Sequence, residues 1–446
     1  CSSDLIKYTN IDNKQVICML LEFKVRNFRS IREELTLSML ASGRVGKNDL
    51  PDNIFQSGKH KAVKSLIMYG RNASGKSNII SAILALQYLV TQSDKHRISD
   101  EIHYFEPFLL EDKFSKEPTS MEIEFIGKSG NRYLYSVEHN LSEIINEKLY
   151  FFPNGVRSKL FERKGLSFSY GDYYSGNRKS IESNILNNQL FLSKSSYDRN
   201  QFLNESYYFL DRLIDVIQHR NAETDLDWLQ DFNSGFSTDP EFRKFLQKIL
   251  KMADTNITNL KSNVYSQVSP NFTGSYKSSI NDNLKQYLNN EIIELKTIHK
   301  KYKNGKVTGT IDFYLNQESM GTRKLLFLAP EIYRTLYMGG LLVIDELDKS
   351  LHPLLTKMII SLFNNPEANP NNGQLIFATH DSSLLDTDIF RRDQIAFVEK
   401  ENQGNTELYR LSDFRGVRKD IPLDRWYLSG KFGAIPVIGD YSLNYE

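Results

Sequence analysis

Gly70-Arg71-Asn72-Ala73-Ser74-Gly75-Lys76-Ser77 sets two glycines around a four-residue loop and follows them at once with a lysine and a serine. Glycines at those positions allow a tight turn whose successive backbone N–H groups can surround an anion. An apolar run, Lys64 to Tyr69, leads into the loop, and Asn78 to Val90 continue with helical spacing. A strand, a glycine loop and a helix start in that order make a phosphate cradle at the positive end of a helix. Gly70, Asn72, Ala73, Ser74, Gly75, Lys76, Ser77 and Asn78 are therefore expected to hold the phosphates of a nucleoside triphosphate. The Lys76 ammonium would meet the β/γ-phosphates and the Ser77 hydroxyl would ligate Mg²⁺. A glycine turn with an incidental Lys-Ser is the alternative, and it requires neither the strand before nor the helix after.

Two other apolar runs end in groups suited to the same chemistry. Leu341-Leu342-Val343-Ile344 runs into Asp345-Glu346; Asp345 at the strand tip can join the Mg²⁺ shell, and Glu346 can deprotonate an attacking water. Adjacent carboxylates after a strand are often only a solvated turn, and the loop at Lys76 is what gives this pair a use. Leu375-Ile376-Phe377-Ala378-Thr379 ends at His380, placed to hydrogen-bond a γ-phosphate or the attacking water, although a lone histidine is commonly structural. Ser319-Met320-Gly321 opens a further apolar helix. Capping explains Ser319 alone; the functional reading adds that this helix start, with Gly321, grips a γ-phosphate, and that it does so on a neighbouring subunit.

In this order the glycine loop, the Ser-x-Gly helix start, the Asp-Glu strand and the Thr-His strand resemble the heads of ABC-type ATPases. They resemble in particular the stand-alone AAA, OLD-like and SMC-like P-loop ATPases of bacterial abortive-infection and anti-phage systems. The opening Leu21-Glu22-Phe23-Lys24-Val25-Arg26-Asn27-Phe28-Arg29-Ser30-Ile31 is similar to that group's first strand. Leu351-His352-Pro353 and the closing stretch from Tyr427 to Pro436 are similar too. The resemblance spans roughly residues 20–126 and 310–436. It implies an α/β fold: a parallel P-loop sheet plus an antiparallel β lobe, with a mainly helical insertion. It implies Lys76 and Ser77 on phosphate and Mg²⁺, Asp345 on Mg²⁺, Glu346 as catalytic base and His380 as a switch histidine. Ser319 and Gly321 would contact nucleotide across a homodimer, with Asp348 to His352 crossing that interface. Two departures stand out. Ser319-Met320-Gly321-Thr322 replaces the Ser-Gly-Gly-Gln of transporter heads, and no glutamine-bearing loop is evident, Tyr104 to Phe108 occupying that region.

The elements that must position these residues follow from periodicity. Leu20 to Phe28 alternates as a half-buried strand, Ser30 to Ser38 can form a second, and Ala41 to His60 reads as a loop over the nucleotide. Met121–Ile126, Arg132–His139, Glu143–Phe152 and Lys159–Phe168 read as strands of an antiparallel lobe. Asn184–Leu192, Tyr207–His219, Trp228–Phe232 and Pro240–Met252 carry helical spacing, Asn256–Asn289 fits no assignment, and Ile292–Ile298 and Thr308–Leu315 return to strand. From Asn316 onward helices alternate with buried strands, the signature of a parallel sheet covered on both faces. The expected organisation is a leader at 1–18, one half of an ATPase head at 19–170, the insertion at 171–290 and the other half at 291–446.

The 446 residues carry 25% charged and 40% hydrophobic side chains and a net charge of +1, which gives no general bias toward nucleic acid or membrane. No apolar run approaches the roughly 20 residues of a bilayer span, and Cys1 and Cys18, the only cysteines, exclude a disulfide framework or a cysteine-rich zinc site. A cytoplasmic location is expected. The leading functional expectation is a nucleotide-gated switch that clamps ATP between heads and controls a separate toxin or nuclease, with a phage protein as trigger. Since the residues after His380 are expected to finish the sheet, the effector is expected to act in trans. The alternative is a clamp on DNA. It would need a basic inner face and usually long arms, and neither is evident; Arg415, Arg418, Lys419, Arg425 and Lys431, interleaved with Trp426, Tyr427 and Phe432, form a modest basic stretch, and a solvated edge explains it.

Overall fold

The computed structural model describes residues 18–46, 49–176, 178–197, 199–218, 226–266, 291–419 and 421–436. Of the expected leader at 1–18, residues 1–17 lie outside them; Cys18 does not behave as leader but is fully buried in the hydrophobic core, which pushes its thiol up to about 12.

The first strand, β1 (Met19–Arg26), buries every second residue from Leu21 onward, as its sequence alternation requires. It pairs with β2 (Leu35–Ser38). The next three strands are β3 (Ile54–Ser57), β4 (His60–Val63) and β5 (Ser65–Tyr69). The antiparallel lobe follows as β6 (Thr119–Ile126), β7 (Arg132–His139), β8 (Ile144–Phe151), β9 (Ser158–Lys164) and β10 (Ser167–Tyr170). Together they make a seven-stranded sheet in the order β10-β9-β8-β7-β6-β1-β2.

A second, six-stranded sheet is the one the chemistry depends on. Its strands are β11 (Ile214–Ile217), β15 (Leu341–Ile344), β16 (Gln374–Ala378), β5, β17 (Ile395–Lys400) and β18 (Thr406–Arg410), in that spatial order. All pairs are parallel except β17 with β18. No residue of β5, β15 or β16 is exposed, and strands covered on both faces read as the continuous apolar runs seen in the sequence. The helix Lys76–Gln92 packs between the two sheets: Ile79, Ile83 and Leu86 share one core with Phe23, Tyr135 and Leu149 of one sheet and Val343 and Ile376 of the other.

Several expectations need correction. The segment 41–60 does not cover the nucleotide loop. It contains β3 and the start of β4, and Asn53 accepts from the Lys64 N–H at the beginning of β5, the end opposite the glycine loop. A buried pair, Arg391 with Asp393, pins the same segment: Asp393 accepts from the Ser42 N–H and Arg391 donates to the Asp49 carbonyl. Helical spacing over 207–219 ends with the helix Gln201–Arg212, and β11 begins two residues later. The stretch 184–192 is mostly turns before a short helix, Phe191–Lys194. The cause is Glu147, wholly buried on β8, whose carboxylate accepts from the N–H groups of Phe191 (2.7 Å) and Leu192 (2.9 Å) while facing Arg163 of β9 at 3.6 Å.

By contact density the chain divides into two compact units. One comprises Lys14–His219, Arg334–Lys349 and Thr356–Glu446 and holds both sheets above. The other includes Arg220–Tyr333 and Ser350–Leu355. In the latter, the helices Leu226–Thr238 and Pro240–Met252 precede a three-stranded antiparallel sheet, β12 (Ile257–Ser266), β13 (Glu291–Lys303) and β14 (Lys306–Tyr314). Strand β12 begins the stretch that the sequence leaves unassigned; the rest of that stretch, 267–290, lies outside the described residues.

Candidate nucleotide-binding site

Because the strands run parallel, the segments that leave them in the same direction meet at one edge. The glycine loop follows β5, Gln218 follows β11, Asp345-Glu346 follows β15 and Thr379-His380 follows β16. Ile217 faces Ile344 in the ladder and Ile344 faces Phe377, so these tips are neighbours by register.

The loop itself is tightly braced. Gly75 has φ 110° and caps the helix that starts at Lys76; a Cβ there would meet the Thr406 hydroxyl at 2.1 Å. That hydroxyl donates to the Ser74 carbonyl at 3.0 Å and exchanges a 2.7 Å bond with Ser30, to which the Asn78 amide also donates. Ala73 sits in the left-handed region at φ 62°. The Lys76 ammonium folds back onto the carbonyls of Gly70 (2.6 Å) and Arg71 (3.2 Å). Burial lowers its pKa to about 8, against the opposing pull of Asp345, Asp348 and Glu346.

Three buried oxygens at this edge have no hydrogen-bond partner among the described residues: Ser74 Oγ, Asp345 Oδ1 and Asp348 Oδ1. An unpaired buried acceptor is costly, and an unpaired carboxylate oxygen next to a phosphate cradle suits a divalent cation. The described residues form no cluster of three or more His, Cys, Asp or Glu that could cage a metal. Ser77 and Asp345 fit Mg²⁺ all the same, since Mg²⁺ usually takes one or two protein ligands and completes its shell with water and phosphate oxygens.

Glu346 lies in the left-handed region at φ 52° and forms a 3.0 Å ion pair with Lys349. A non-glycine residue held there is uncommon and is found where the surrounding structure over-determines it. His380 is anchored through its backbone N–H to Asp348 Oδ2 at 3.4 Å. Burial and then the nearby Lys76 charge lower its pKa, so a neutral imidazole is favoured.

Gln218 is the residue that the sequence reading misses. Its amide donates to the Ser77 carbonyl at 3.0 Å and reaches Asp345 Oδ2 at 3.5 Å, while its carbonyl accepts from Ser81 at 2.8 Å. It therefore stands between the Mg²⁺-binding candidates. The signal for it is slight: four apolar-leaning residues, Ile214 to Ile217, then a glutamine. The Tyr104–Phe108 segment supplies no such amide; its Phe108 N–H is bound to Asn27, and its Glu106 is paired with Arg29, which itself donates to Ser81 at 2.7 Å.

Ser319 and Gly321 belong to the other compact unit. Ser319 Oγ accepts from the Thr322 N–H at 3.1 Å, which caps the helix Met320–Met338 as expected. A Cβ on Gly321 would meet the Ser350 carbonyl at 2.9 Å, so only glycine lets this helix start lie against the loop that contains Ser350. The residue before Ser319, Glu318, is bound by His299 of β13 at 2.6 Å and by Thr297 of the same strand.

Over residues 65–386 the chain matches the family described as "AAA domain, putative AbiEii toxin, Type IV TA system". The chain belongs to this AAA-domain family. It is a P-loop ATPase family, and the AAA-domain chain has an α/β fold, with the parallel P-loop sheet and antiparallel lobe described above. Among solved structures it is similar to an SMC head bound to the C-winged helix domain of ScpA, at 12% identity and a TM-score of 0.42 over 88% of this chain and 97% of that one. The SMC head domain from Thermotoga maritima matches at 13% identity and 0.38, over 88% of this chain and 98% of that one. The recombination mediator protein RecF matches at 12% and 0.37 with the same coverage. No curated protein matches the AAA-domain chain. Among its described residues no helix is long and apolar enough to cross a membrane.

Proposed function

We propose that this protein is an ATP-hydrolysing switch that controls a separate effector, a toxin or nuclease, in a bacterial anti-phage system. The observation that carries the ATPase chemistry is the meeting of the Lys76 loop, Asp345, Glu346, Gln218 and His380 at one edge of the parallel sheet. The defence role draws on the motif resemblance and on the family's description as toxin-related.

The loop N–H groups and Lys76 bind the triphosphate, with Ser74 donating its unpaired hydroxyl. Ser77 and Asp345 would hold Mg²⁺, which when bound neutralises phosphate charge. Gln218 orients Asp345 and the water beside it. Glu346 takes the proton from the attacking water, and neutral His380 hydrogen-bonds the γ-phosphate. Ser319 and Gly321 contact a nucleotide held by a second copy, so that ATP joins two heads and hydrolysis parts them.

The test begins with two variants. Lys76→Ala is expected to lose ATP binding, and Glu346→Gln to bind ATP while turning it over about 10²- to 10⁴-fold more slowly; normal turnover by Glu346→Gln would remove Glu346 as base. The Glu346→Gln protein with ATP and Mg²⁺ is expected to dimerise by light scattering. From cells carrying its neighbouring genes, it is expected to co-purify a stoichiometric effector. Recovery of no protein partner would leave an ATPase without the defence role.

A further inference from the structure

The end of the β13–β14 hairpin is chemically unlike the rest of its sheet. Asn304-Gly305 closes it, with φ 49° and 75°, the two positive values that a type I′ turn requires. In the ladder Lys303 faces Lys306, Tyr302 faces Val307 and Lys301 faces Gly309, with a bulge between the last two pairs. Every residue from Lys300 to Asp312 is exposed, including Tyr302 at 59% and Val307 at 56%.

The charges on this hairpin are not balanced. Nearer the base of the sheet each lysine has a carboxylate: Lys296 pairs with Glu294 at 2.8 Å and Lys261 with Asp312 at 3.2 Å. Lys300, Lys301, Lys303 and Lys306 have none within ion-pair distance among the described residues, and no acidic residue occurs from His299 to Ile311. Like charges directly opposite in a ladder destabilise it, so Lys303 against Lys306 costs stability until an anion lies between them. Strand alternation puts Lys301 and Lys303 on one face and Lys300 with Tyr302 on the other.

A two-stranded ribbon of this kind fits the major groove of a DNA duplex. Lysines on both faces would meet the phosphates of both groove walls, as point charges that read backbone and not sequence. Tyr302 and Val307, paired next to the turn, would offer apolar contact to the groove floor. We propose that the β13–β14 hairpin is a docking element for duplex DNA, with Lys300, Lys301, Lys303 and Lys306 on its phosphodiester backbone. An acidic protein partner would also answer the charge, but its carboxylates do not form two regularly spaced walls.

The full-length protein, without nucleotide, would be titrated against a fluorescein-labelled duplex of about 30 base pairs between about 50 and 200 mM KCl, a length that covers roughly three helical turns. About four phosphate contacts predict that a variant with all four lysines changed to glutamine loses a slope of about three to four in log K against log salt. Its affinity at low salt should fall at least about tenfold, on the same ground. A melting temperature no lower than the parent's checks that the variant folds, and does so whether or not the protein hydrolyses ATP. Failure of the parent to bind duplex at low salt would overturn the proposal, as would a variant with the parent's slope. Displacement of the duplex by polyglutamate of equal charge would also overturn it, pointing to an acidic protein instead.

Discussion

Lys76 is a buried ammonium that the fold holds at a cost. Its pKa is near 8 in the nucleotide-free protein, below the ordinary lysine value of about 10.4. Between those two values the unfolded chain binds more protons than the folded one, so this group adds stability as pH rises through that window, and its penalty is complete below it. ATP binding has the opposite sign. Phosphate favours the charged form, so ATP affinity is expected to fall above about pH 8, approaching tenfold per pH unit. A fluorescent-nucleotide titration from pH 7 to 9.5 checks this, and Lys76→Arg should flatten the profile, because arginine does not titrate there. Gln218 acts on a different term. Gln218→Ala is expected to retain ATP binding while raising the Mg²⁺ concentration needed for half-maximal turnover about 10- to 100-fold, the usual cost of losing an outer-shell partner. An unchanged Mg²⁺ dependence would make Gln218 a structural residue only.

Single elements decide whether those residues meet. Strand β15 begins at Leu341, directly after Gly340, whose φ is 105° and whose added Cβ would lie 2.4 Å from the Leu213 carbonyl next to β11. Gly340→Ala should therefore force β11 away from β15 and part Gln218 from Asp345. A stability loss of about 1–3 kcal/mol is expected, read as a lower melting temperature, together with weaker ATPase activity. The strands that the sequence shows plainly are those with one clear rule. The antiparallel lobe alternates, as in β7, where Tyr133, Tyr135 and Val137 point inward. The parallel strands β5, β15 and β16 are uninterrupted apolar runs. Strand β11 obeys neither rule for long enough: it has four residues, one of them Asp215, which serves Arg334 at its side. The site divides in the same way. Gly-Lys-Ser and Asp-Glu are legible because each is contiguous, whereas Gln218 acquires its position only from the pairing of β11 with β15. Two of the three aromatic residues beside Arg425 and Lys431 prove to be internal packing, Tyr427 and Phe432 lying buried against Phe397, while Trp426 is half-buried under the Lys431 ammonium.

Across the whole molecule, long-range buried polar contacts fix what the apolar cores leave free. Glu147 and Arg163 have no exposed side-chain surface, and removing one of them strands the other. Glu147→Ala is expected to cost about 3–5 kcal/mol, measured by denaturant unfolding, while Glu147→Gln, which keeps an acceptor for one of the Phe191 and Leu192 N–H groups, should cost less. Gln374 closes β1 onto the parallel sheet across 354 residues of chain, and Gln394 bonds Ser65, the first residue of β5, across 329. Both flanking partners of β5, namely β16 and β17, lie in the last quarter of the sequence. During synthesis at about 5–20 residues per second, the strand leading into the glycine loop therefore waits tens of seconds on the ribosome with both edges unpaired. Nascent chains ending before β16 should be unable to retain ATP and should depend on chaperones to keep that apolar strand from aggregating.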